Sequence, residues 1–349
     1  FNSVTLCLRT NKVYYLFYIS IVLRQDIDLS YIKAIAHPNF ALIKYWGKSD
    51  IINNRPDMSS ISVTIDSLRS SAKVSFDPSL KEDHWSLNSV DQRSLGQILP
   101  TIEYLRSFKT IKDHCLIESE NNFPTAAGLA SSASGLASIV LAVSKLFKLK
   151  LSNEELIHAA MLGSASAPRS LFSGFVYLNK SENYSCQTIL EPNEWPLKVI
   201  ICLTSAKQKT ISSREGMIIS KSTSPYYQSW VNEHEADVLA ALKAIRSKNF
   251  SLLGEVVESN CEKMHNIMET SNPPLIYRNR VTQLCVDKIK EMKKRGSNIF
   301  YTIDAGPQVK IICQPKDVDT VTNNMKLIPN IEDVIQANLG QGGRVIDES

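Results

Sequence analysis

The alternation of apolar and polar residues predicts short β-strands in several parts of the chain. Ser60–Ser67 alternates through I-S-V-T-I, and shorter runs of the same kind occur at Lys33–Ala36, Ala72–Phe76 and His114–Ser119. Further strands are predicted at Phe175–Leu178, Thr188–Leu190, Lys198–Leu203, Ile299–Ile303 and Val309–Cys313. The run at Lys198–Leu203 is apolar without interruption, which is typical of a buried strand.

Segments with helical periodicity lie between these predicted strands. Helices are predicted at Leu95–Phe108, Leu136–Phe147, Ser229–Ile245, Ser251–Met268 and Pro274–Lys294, the last with Gly296 as its C-cap. Ser152 and Glu155 form a capping-box pattern that opens a further helix through Met161. Two prolines make Glu191–Pro196 the best candidate for a linker. The pattern therefore predicts an α+β protein of two domains joined near residue 192.

Composition narrows the function classes. With 349 residues and 43% hydrophobic content, the chain can bury a substantial core. A net charge of only +4, with both signs mixed along the sequence, argues against nucleic-acid binding and suits a pocket for small polyanions. The seven cysteines are scattered without a C-x-x-C pair, and the six histidines show no metal-ligand spacing. We therefore expect reduced core cysteines in a cytoplasmic protein and no transition-metal site.

The apolar stretch Val13–Leu23 follows Arg9 and Lys12, an order that also occurs in signal peptides. Its eleven residues are too few to span a bilayer, and no small-residue cleavage site follows Leu23. We expect instead an added strand, a disordered extension or an upstream segment outside the functional fold.

Residues Asn122–Gly135 read N-F-P-T-A-A-G-L-A-S-S-A-S-G and precede an apolar helix. Small residues permit close approach of the backbone to phosphate oxygens, and a helix start offers unpaired N–H groups. The stretch lacks the Gly-Lys-Ser/Thr of a Walker A loop and the spacing of a dinucleotide fingerprint. A small-residue helix start that packs tightly against a neighbour is the structural alternative.

Four further segments are unusually polar for their surroundings. They are I-K-Y-W-G-K at Ile43–Lys48, G-S-A-S-A-P-R at Gly163–Arg169, the hydroxyl-rich Ser212–Arg214 downstream of Lys207 and Lys209, and Asp304 at the end of a buried strand. Taken singly, each has an ordinary structural interpretation: core aromatics with solvated lysines, an exposed loop arginine, a solvated loop, and a turn-forming aspartate. Their combination in one chain favours an anion-binding site.

Together these motifs resemble the GHMP small-molecule kinase superfamily and, within it, the diphosphomevalonate decarboxylase family. The resemblance runs from about Ala34 to near the C-terminus. It rests on Ala36–Lys48, Ser59–Thr64, Ser119–Gly135, Gly163–Phe172, Ser213–Met217 and Asp304–Pro307. The glycine loop alone would indicate only the superfamily, whereas K-Y-W-G-K, S-A-x-R-S and D-A-G-P in this order are specific for the decarboxylases. The resemblance implies a two-domain GHMP-kinase fold with the active site in the interdomain cleft.

The resemblance also implies an activity and a set of residues. It implies ATP-dependent decarboxylation of mevalonate 5-diphosphate in a cytoplasmic homodimer, with no nucleic-acid or membrane partner. Asp304, Arg169 and Lys44 would be catalytic, and the substrate would contact Tyr45, Trp46, Lys48, Ser164, Ser166, Ser213 and Arg214. ATP would lie against Pro124, Gly128, Leu129, Ala130, Ser131, Ser132 and Ser134, with Mg²⁺ bound mainly through its phosphates. The domains implied are an extension at 1–32, a first domain at 33–191 and a second at 192–349.

Four positions depart from the family pattern. Met58, Ala165, Pro168 and Ser173 stand where Asn, Gly, a small residue and Gly are usual. They leave the selectivity open among mevalonate 5-diphosphate, its 5-phosphate and mevalonate itself. The alternatives are a 3-kinase that stops at phosphorylation and a monophosphate decarboxylase. A non-catalytic regulator is disfavoured, because Asp304 is retained.

Overall fold

The computed structural model describes residues 30–125, 127–181, 183–207 and 209–348. The segment Val13–Leu23 and nearly all of the predicted extension lie outside the described residues. The strands, in chain order, are β1 (Tyr31–Ala36), β2 (Asn39–Ile43), β3 (Lys48–Asp50), β4 (Arg55–Pro56), β5 (Ser60–Thr64), β6 (Ser70–Phe76), β7 (His84–Leu87), β8 (Val90–Asp91), β9 (Cys115–Asn121), β10 (Phe175–Asn179), β11 (Ser185–Leu190), β12 (Lys198–Leu203), β13 (Ile299–Ile303), β14 (Val309–Cys313), β15 (Asp333–Asn338) and β16 (Arg344–Glu348).

The helices accompany these strands on both halves of the chain. They are α1 (Leu99–Ser107), α2 (Ser131–Leu146), α3 (Asn153–Gly163), α4 (Ser213–Thr223), α5 (Tyr227–Arg246), α6 (Phe250–Glu269), α7 (Arg280–Lys294) and α8 (Val318–Lys326). A 3₁₀ turn at Ala167–Leu171 starts with a proline in its first turn. No helix among the described residues is both long and apolar enough to cross a membrane.

The first sheet has the order β16-β1-β6-β9-β7-β8, and only the β7–β9 pair is parallel. Helix α2 packs on β1, β6 and β9, and its Val140 and Val143 belong to one apolar cluster with Ala72, Val74 and Ile117. This packing holds the N-terminus of α2 at one end of the sheet, next to the glycine-rich loop.

The second and third sheets share a core. The second has the order β11-β10-β5-β2, and the third has the order β13-β14-β12-β15. Helix α6 contacts both β2 and β13. One apolar cluster includes Phe40, Phe175, Leu253 and Phe300, which come from both halves of the chain. This continuous core fixes the position of β13 and its following turn against β2.

Most predicted elements are confirmed, and two expectations are corrected. The capping box at Ser152 is present, with Glu155 N 3.2 Å from Ser152 Oγ and Ser152 N 2.7 Å from Glu155 Oε2. The helix predicted from Pro274 begins only at Arg280, because Asn279 caps it together with Thr282 in a second capping box. Ser212–Arg214 is not a loop: Ser212 accepts a hydrogen bond from Glu215 N and caps α4.

The last strand, β16, pairs antiparallel with β1 and so completes the first sheet. The domain division at residue 192 stays a prediction. The Glu191–Pro196 segment links β11 to β12, as expected for a linker, but Trp195 within it is buried and stacks on Phe175 with ring centroids 5.4 Å apart. The two halves are therefore joined by packing as well as by chain.

Candidate active site

A cavity of about 380 Å³ opens between the two halves of the chain. Its charged lining, within the described residues, consists of Lys44, Lys48, Arg169, Lys209, Arg214 and Asp304. Five cations thus face one carboxylate. Like charges gathered in a partly desolvated space repel one another, so the arrangement favours a ligand with several negative charges.

The carboxylate of Asp304 lies between two buried lysines. Lys44 Nζ is 2.6 Å from Oδ1, and Lys310 Nζ is 3.1 Å from Oδ2. The two lysine side chains are 1% and 0% exposed, whereas Asp304 keeps 24% of its side chain open to the cavity. Burial alone would raise the pKa of Asp304, but the charges and hydrogen bonds of Lys310 and Lys44 outweigh it and hold that pKa well below its ordinary value. Asp304 is therefore an ionised hydrogen-bond acceptor at any physiological pH.

Lys44 reaches Asp304 because of where β2 ends. Its backbone N–H donates to Asn260 Oδ1 on α6 at 2.7 Å, and its Nζ also donates to Ala41 O at 2.8 Å. Thr302 Oγ1, on β13, donates to the same Ala41 carbonyl at 2.9 Å. The bonds of Asn260 and Thr302 cross from one half of the chain to the other, so the Lys44–Asp304 pair depends on the packing of β2 against β13.

The glycine-rich loop approaches the Asp304 turn backbone to backbone. Gly128 has φ +84°, and a Cβ there would lie 3.0 Å from Gly306 Cα. Gln308 Nε2 donates to Ala127 O at 2.8 Å, and Lys310 Nζ donates to Gly128 O at 3.0 Å. The loop then enters the sixteen-residue helix α2 at Ala130, whose methyl side chain cannot cap the first turn. A helix start of this kind suits phosphate oxygens.

Arg169 is held in the 3₁₀ turn by neutral partners. Its Nε donates to Asn39 Oδ1 at 2.9 Å, and its Nη1 donates to Ser60 Oγ. The guanidinium carbon lies 5.5 Å from the Tyr45 ring centroid. The side chain is only 3% exposed and lines the cavity without a carboxylate partner among the described residues. An incoming carboxylate is the natural partner of such a guanidinium.

The far end of the cavity gathers cations and hydroxyls. Lys209 Nζ donates to Ser213 Oγ at 2.6 Å, and Ser164 and Ser166 hydroxyls lie 3.1 Å apart. Burial, followed by the charge of Arg214, lowers the pKa of Lys48 to about 8. Burial likewise lowers the pKa of Lys209 to about 8, with Lys310 adding to the shift and Asp304 opposing it. Both lysines are thus mainly protonated at neutral pH and would gain from an anionic partner.

The structure brings most of the sequence-derived site residues together. All the implied catalytic and substrate residues line the cavity, as do Gly128, Ala130, Ser131 and Ser132. Pro124, Leu129 and Ser134 are not among the described lining residues. Leu129 belongs to the apolar core, and the Ser134 hydroxyl is buried 2.7 Å from Ser70 Oγ. Met58 is buried in an apolar cluster with Trp46 and Met217.

Sequence reasoning missed two groups of residues. Lys310 was hidden inside the apolar strand V-K-I-I-C, although a lysine in a buried strand signals a buried partner. The side of the cavity against the first sheet is lined by Trp85, Leu87, Gln97, Ser119 and Asn121. These residues come from β7, β9 and the segment before α1. These elements lie side by side only in the folded protein, so no local sequence pattern indicates that they line one cavity.

The side chains available as metal ligands indicate how Mg²⁺ could be held. The described residues contain no group of three or more His, Cys, Asp or Glu side chains that could hold an ion. The cavity's carboxylate, Asp304, already accepts from two lysines. This set fits Mg²⁺ only as an ion that a nucleotide carries on its phosphates.

Two family models match the two halves of the chain. The family model for the diphosphomevalonate decarboxylase-like N-terminal domain matches residues 36–188, and that for the mevalonate 5-diphosphate decarboxylase C-terminal domain matches residues 199–344. The diphosphomevalonate decarboxylase of Ganoderma lucidum is 34% identical, over 90% of this chain and 87% of its own length.

Two solved structures are similar over nearly the whole described chain. MDDEF in complex with MVAPP, AMPPCP and magnesium gives a TM-score of 0.85 at 32% identity, over 91% of this chain and 99% of that chain. The mevalonate diphosphate decarboxylase from Enterococcus faecalis, studied for mevalonate diphosphate mediated ATP binding, gives a TM-score of 0.83 at 32% identity, with the same coverage.

The contact between Gly128 and Gly306 yields a testable expectation. Gly128→Ala would force an alanine into a left-handed backbone conformation. It would also place the new Cβ 3.0 Å from Gly306 Cα. We expect a loss of about 1 to 2 kcal/mol in unfolding free energy from the backbone alone, together with a large loss of turnover because the loop moves away from the Asp304 turn. Urea denaturation and steady-state kinetics measure the two effects.

Gly296→Ala is the matched control. Gly296 has φ +95°, but no described heavy atom lies within 4 Å of its Cβ position, and it ends α7 away from the cavity. It should lose similar stability and keep full turnover. Equal turnover in the two variants would show that the close approach of loop and turn is not needed for activity.

Proposed function

This chain belongs to the diphosphomevalonate decarboxylase family and is an ATP-dependent decarboxylase of mevalonate 5-diphosphate; we propose how its own residues divide that reaction between them. Its α+β architecture is the GHMP-kinase fold that the sequence implied. The proposed products are isopentenyl diphosphate, ADP, phosphate and CO₂.

The observation that supports this assignment best is the Asp304 carboxylate held between two lysines in a cavity of five cations. ATP and a diphosphate-bearing acid together bring many negative charges, which such a cavity can neutralise. A carboxylate repels such anions, so its presence in this cavity indicates a specific role in the reaction. Its task is to accept a hydrogen bond from the substrate's C3 hydroxyl and aim that oxygen at the transferring phosphoryl group.

Asp304 is a weak base because its pKa is so low. Phosphoryl transfer passes through a loose transition state in which little proton abstraction is needed early. The hydroxyl becomes strongly acidic as its oxygen bonds to phosphorus, and Asp304 takes the proton at that late stage. Lys44 then stabilises negative charge on the phosphoryl oxygens.

Arg169 is proposed to bind the substrate carboxylate. When the C3 phosphate leaves with its bonding electrons, positive charge builds at C3. The electrons of the bond between C2 and the carboxylate carbon move in to form the alkene, and CO₂ departs. A guanidinium fixed by Asn39 and Ser60 keeps that bond aligned without protonating the carboxylate.

ATP is proposed to lie along Gly128–Ser132 and the start of α2. The apolar and amide-lined recess of Trp85, Leu87 and Asn121 is the proposed place for its base. Mg²⁺ would supply charge neutralisation at the phosphates. At the other end, Lys48, Ser213 and Arg214 are proposed to hold the substrate diphosphate.

The cellular setting is also a proposal. The six described cysteines are all buried free thiols, which suits the reducing cytoplasm. The homodimer rests on resemblance to the family alone.

An experiment with three candidate substrates tests whether the chain is a decarboxylase of mevalonate 5-diphosphate. The chain is incubated with ATP, Mg²⁺ and mevalonate 5-diphosphate, mevalonate 5-phosphate or mevalonate, and ADP and CO₂ are followed separately. We expect equal amounts of ADP and CO₂, with the diphosphate as the best substrate because Lys48 and Arg214 pair with its second phosphate. ADP without CO₂ would identify a 3-kinase, and preference for the 5-phosphate would identify the monophosphate enzyme.

Asp304→Asn tests the role of the carboxylate. Asn is nearly isosteric but cannot accept a proton, so we expect kcat to fall by on the order of 100-fold or more. The KM for mevalonate 5-diphosphate should change little, since the cations that hold its diphosphate remain. Glu118→Gln, a change at a surface carboxylate whose pair with Lys73 is 49% and 45% exposed, is the control and should keep wild-type kcat. Near-normal turnover of Asp304→Asn would remove Asp304 from the mechanism.

A further inference from the structure

Lys310 is the most deeply buried charge near the site, and the mechanism above does not use it. It is the second residue of β14, with 0% exposure, opposite Thr302 of β13 and Ile201 of β12. Burial of a lysine in the interior of a sheet is costly unless its ammonium has partners. It is tolerated here because the ammonium has three kinds of partner.

Those partners belong to different elements. Lys310 Nζ donates to Asp304 Oδ2 at 3.1 Å and to Gly128 O at 3.0 Å. It also lies 4.9 Å from the centroid of the Phe40 ring on β2. One ammonium thus links the carboxylate of the second half of the chain to a carbonyl of the glycine-rich loop of the first half.

Lys310 differs from Lys44 in its access to the cavity. Lys44 lines the cavity, whereas Lys310 is not among the described lining residues. A direct contact with substrate is therefore not its role. Any effect of Lys310 on the reaction must pass through Asp304 or through the loop at Gly128.

We propose that Lys310 is a positioning residue that holds Asp304 Oδ2 and the Gly128 carbonyl together, so that the carboxylate and the nucleotide loop keep one fixed alignment. This inference rests on the proposed function of the site. Lys44 occupies Oδ1 and Lys310 occupies Oδ2, so neither oxygen can rotate away without breaking an ion pair. Aligned groups of this kind lower the barrier without touching the substrate.

Several charged or titratable groups face this cluster. They are Lys44 and Tyr45 after β2, Arg169 in the 3₁₀ turn, Lys209 before α4, and Cys261 and His265 on α6. Burial raises the pKa of the Cys261 thiol and lowers that of His265 well below its ordinary value, so both stay neutral near pH 7. Among these groups Lys310 and Lys44 are the ones that keep the pKa of Asp304 low.

Lys310→Met in the full chain is the main test. We expect kcat to fall by on the order of tenfold to a hundredfold, while the KM for mevalonate 5-diphosphate changes less than about threefold, because Lys310 lies behind the cavity wall. The pKa of Asp304 should rise, so turnover should be lost at a higher pH on the acid side than in the wild type. Lys73→Met, which removes an exposed strand lysine paired with Glu118, is the matched control and should change neither kcat nor the pH profile.

A double-mutant cycle separates positioning from a general structural effect. If Lys310 acts through Asp304, Lys310→Met should reduce kcat much less in an Asp304→Asn background than in the wild type. If the two substitutions reduced kcat by independent factors that multiply, the proposal would be overturned. An acid side of the kcat–pH profile that does not move in Lys310→Met would overturn it as well.

Lys310→Arg provides a second variant should the methionine variant not fold. It keeps the charge but not the length, so kcat should fall while the acid limb stays in place. A kcat equal to wild type would contradict fixed alignment. Wild-type enzyme that releases no CO₂ from mevalonate 5-diphosphate would instead contradict the proposed function, whatever Lys310 does.

Discussion

The ion cluster of Lys44, Asp304 and Lys310 is the interaction on which the rest of the site depends. Two buried ammonium groups need an anionic partner, and the Asp304 carboxylate gives each of them one oxygen. Lys44 directly follows β2, Asp304 directly follows β13, and Lys310 lies near the start of β14. Their meeting requires the two halves of the chain to pack in one arrangement. The shared apolar core around Phe40, Leu253 and Phe300 supplies that packing.

The same constraint sets the electrostatics of the free cavity. Asp304 is neutralised by its two lysines, so the remaining cations face one another without compensation. Burial lowers the pKa of Lys48 and of Lys209 to about 8, and repulsion from Arg214 adds to the shift at Lys48. An anionic ligand relieves this repulsion. The folded protein thus holds these cations in place before a diphosphate or a nucleotide binds, so the site is preorganised for anionic ligands.

Local patterns in the sequence predicted much of this structure. Strands such as Lys198–Leu203 and helices with recognisable caps, such as the one after Ser152, were found where expected. Motif resemblance supplied Lys44, Arg169 and Asp304, which share the cavity. The contact of Lys310 with Gly128 and that of Trp85 with Ser119 escaped notice because they join residues 182 and 34 positions apart. The pairing of β16 with β1 was hidden for the same reason, since strand partners so distant in sequence leave no periodic pattern.

The ionisation of Asp304 in the free protein is the most direct measure of this account. A ¹³C-carboxyl NMR titration, with the Asp304 resonance assigned by its absence in Asp304→Asn, follows that group alone. The cluster predicts that the Asp304 resonance keeps the shift of an ionised carboxylate down to about pH 4, the ordinary titration range of aspartate. A titration step centred at or above about pH 4 would contradict the claim that Lys44 and Lys310 together hold the carboxylate charged.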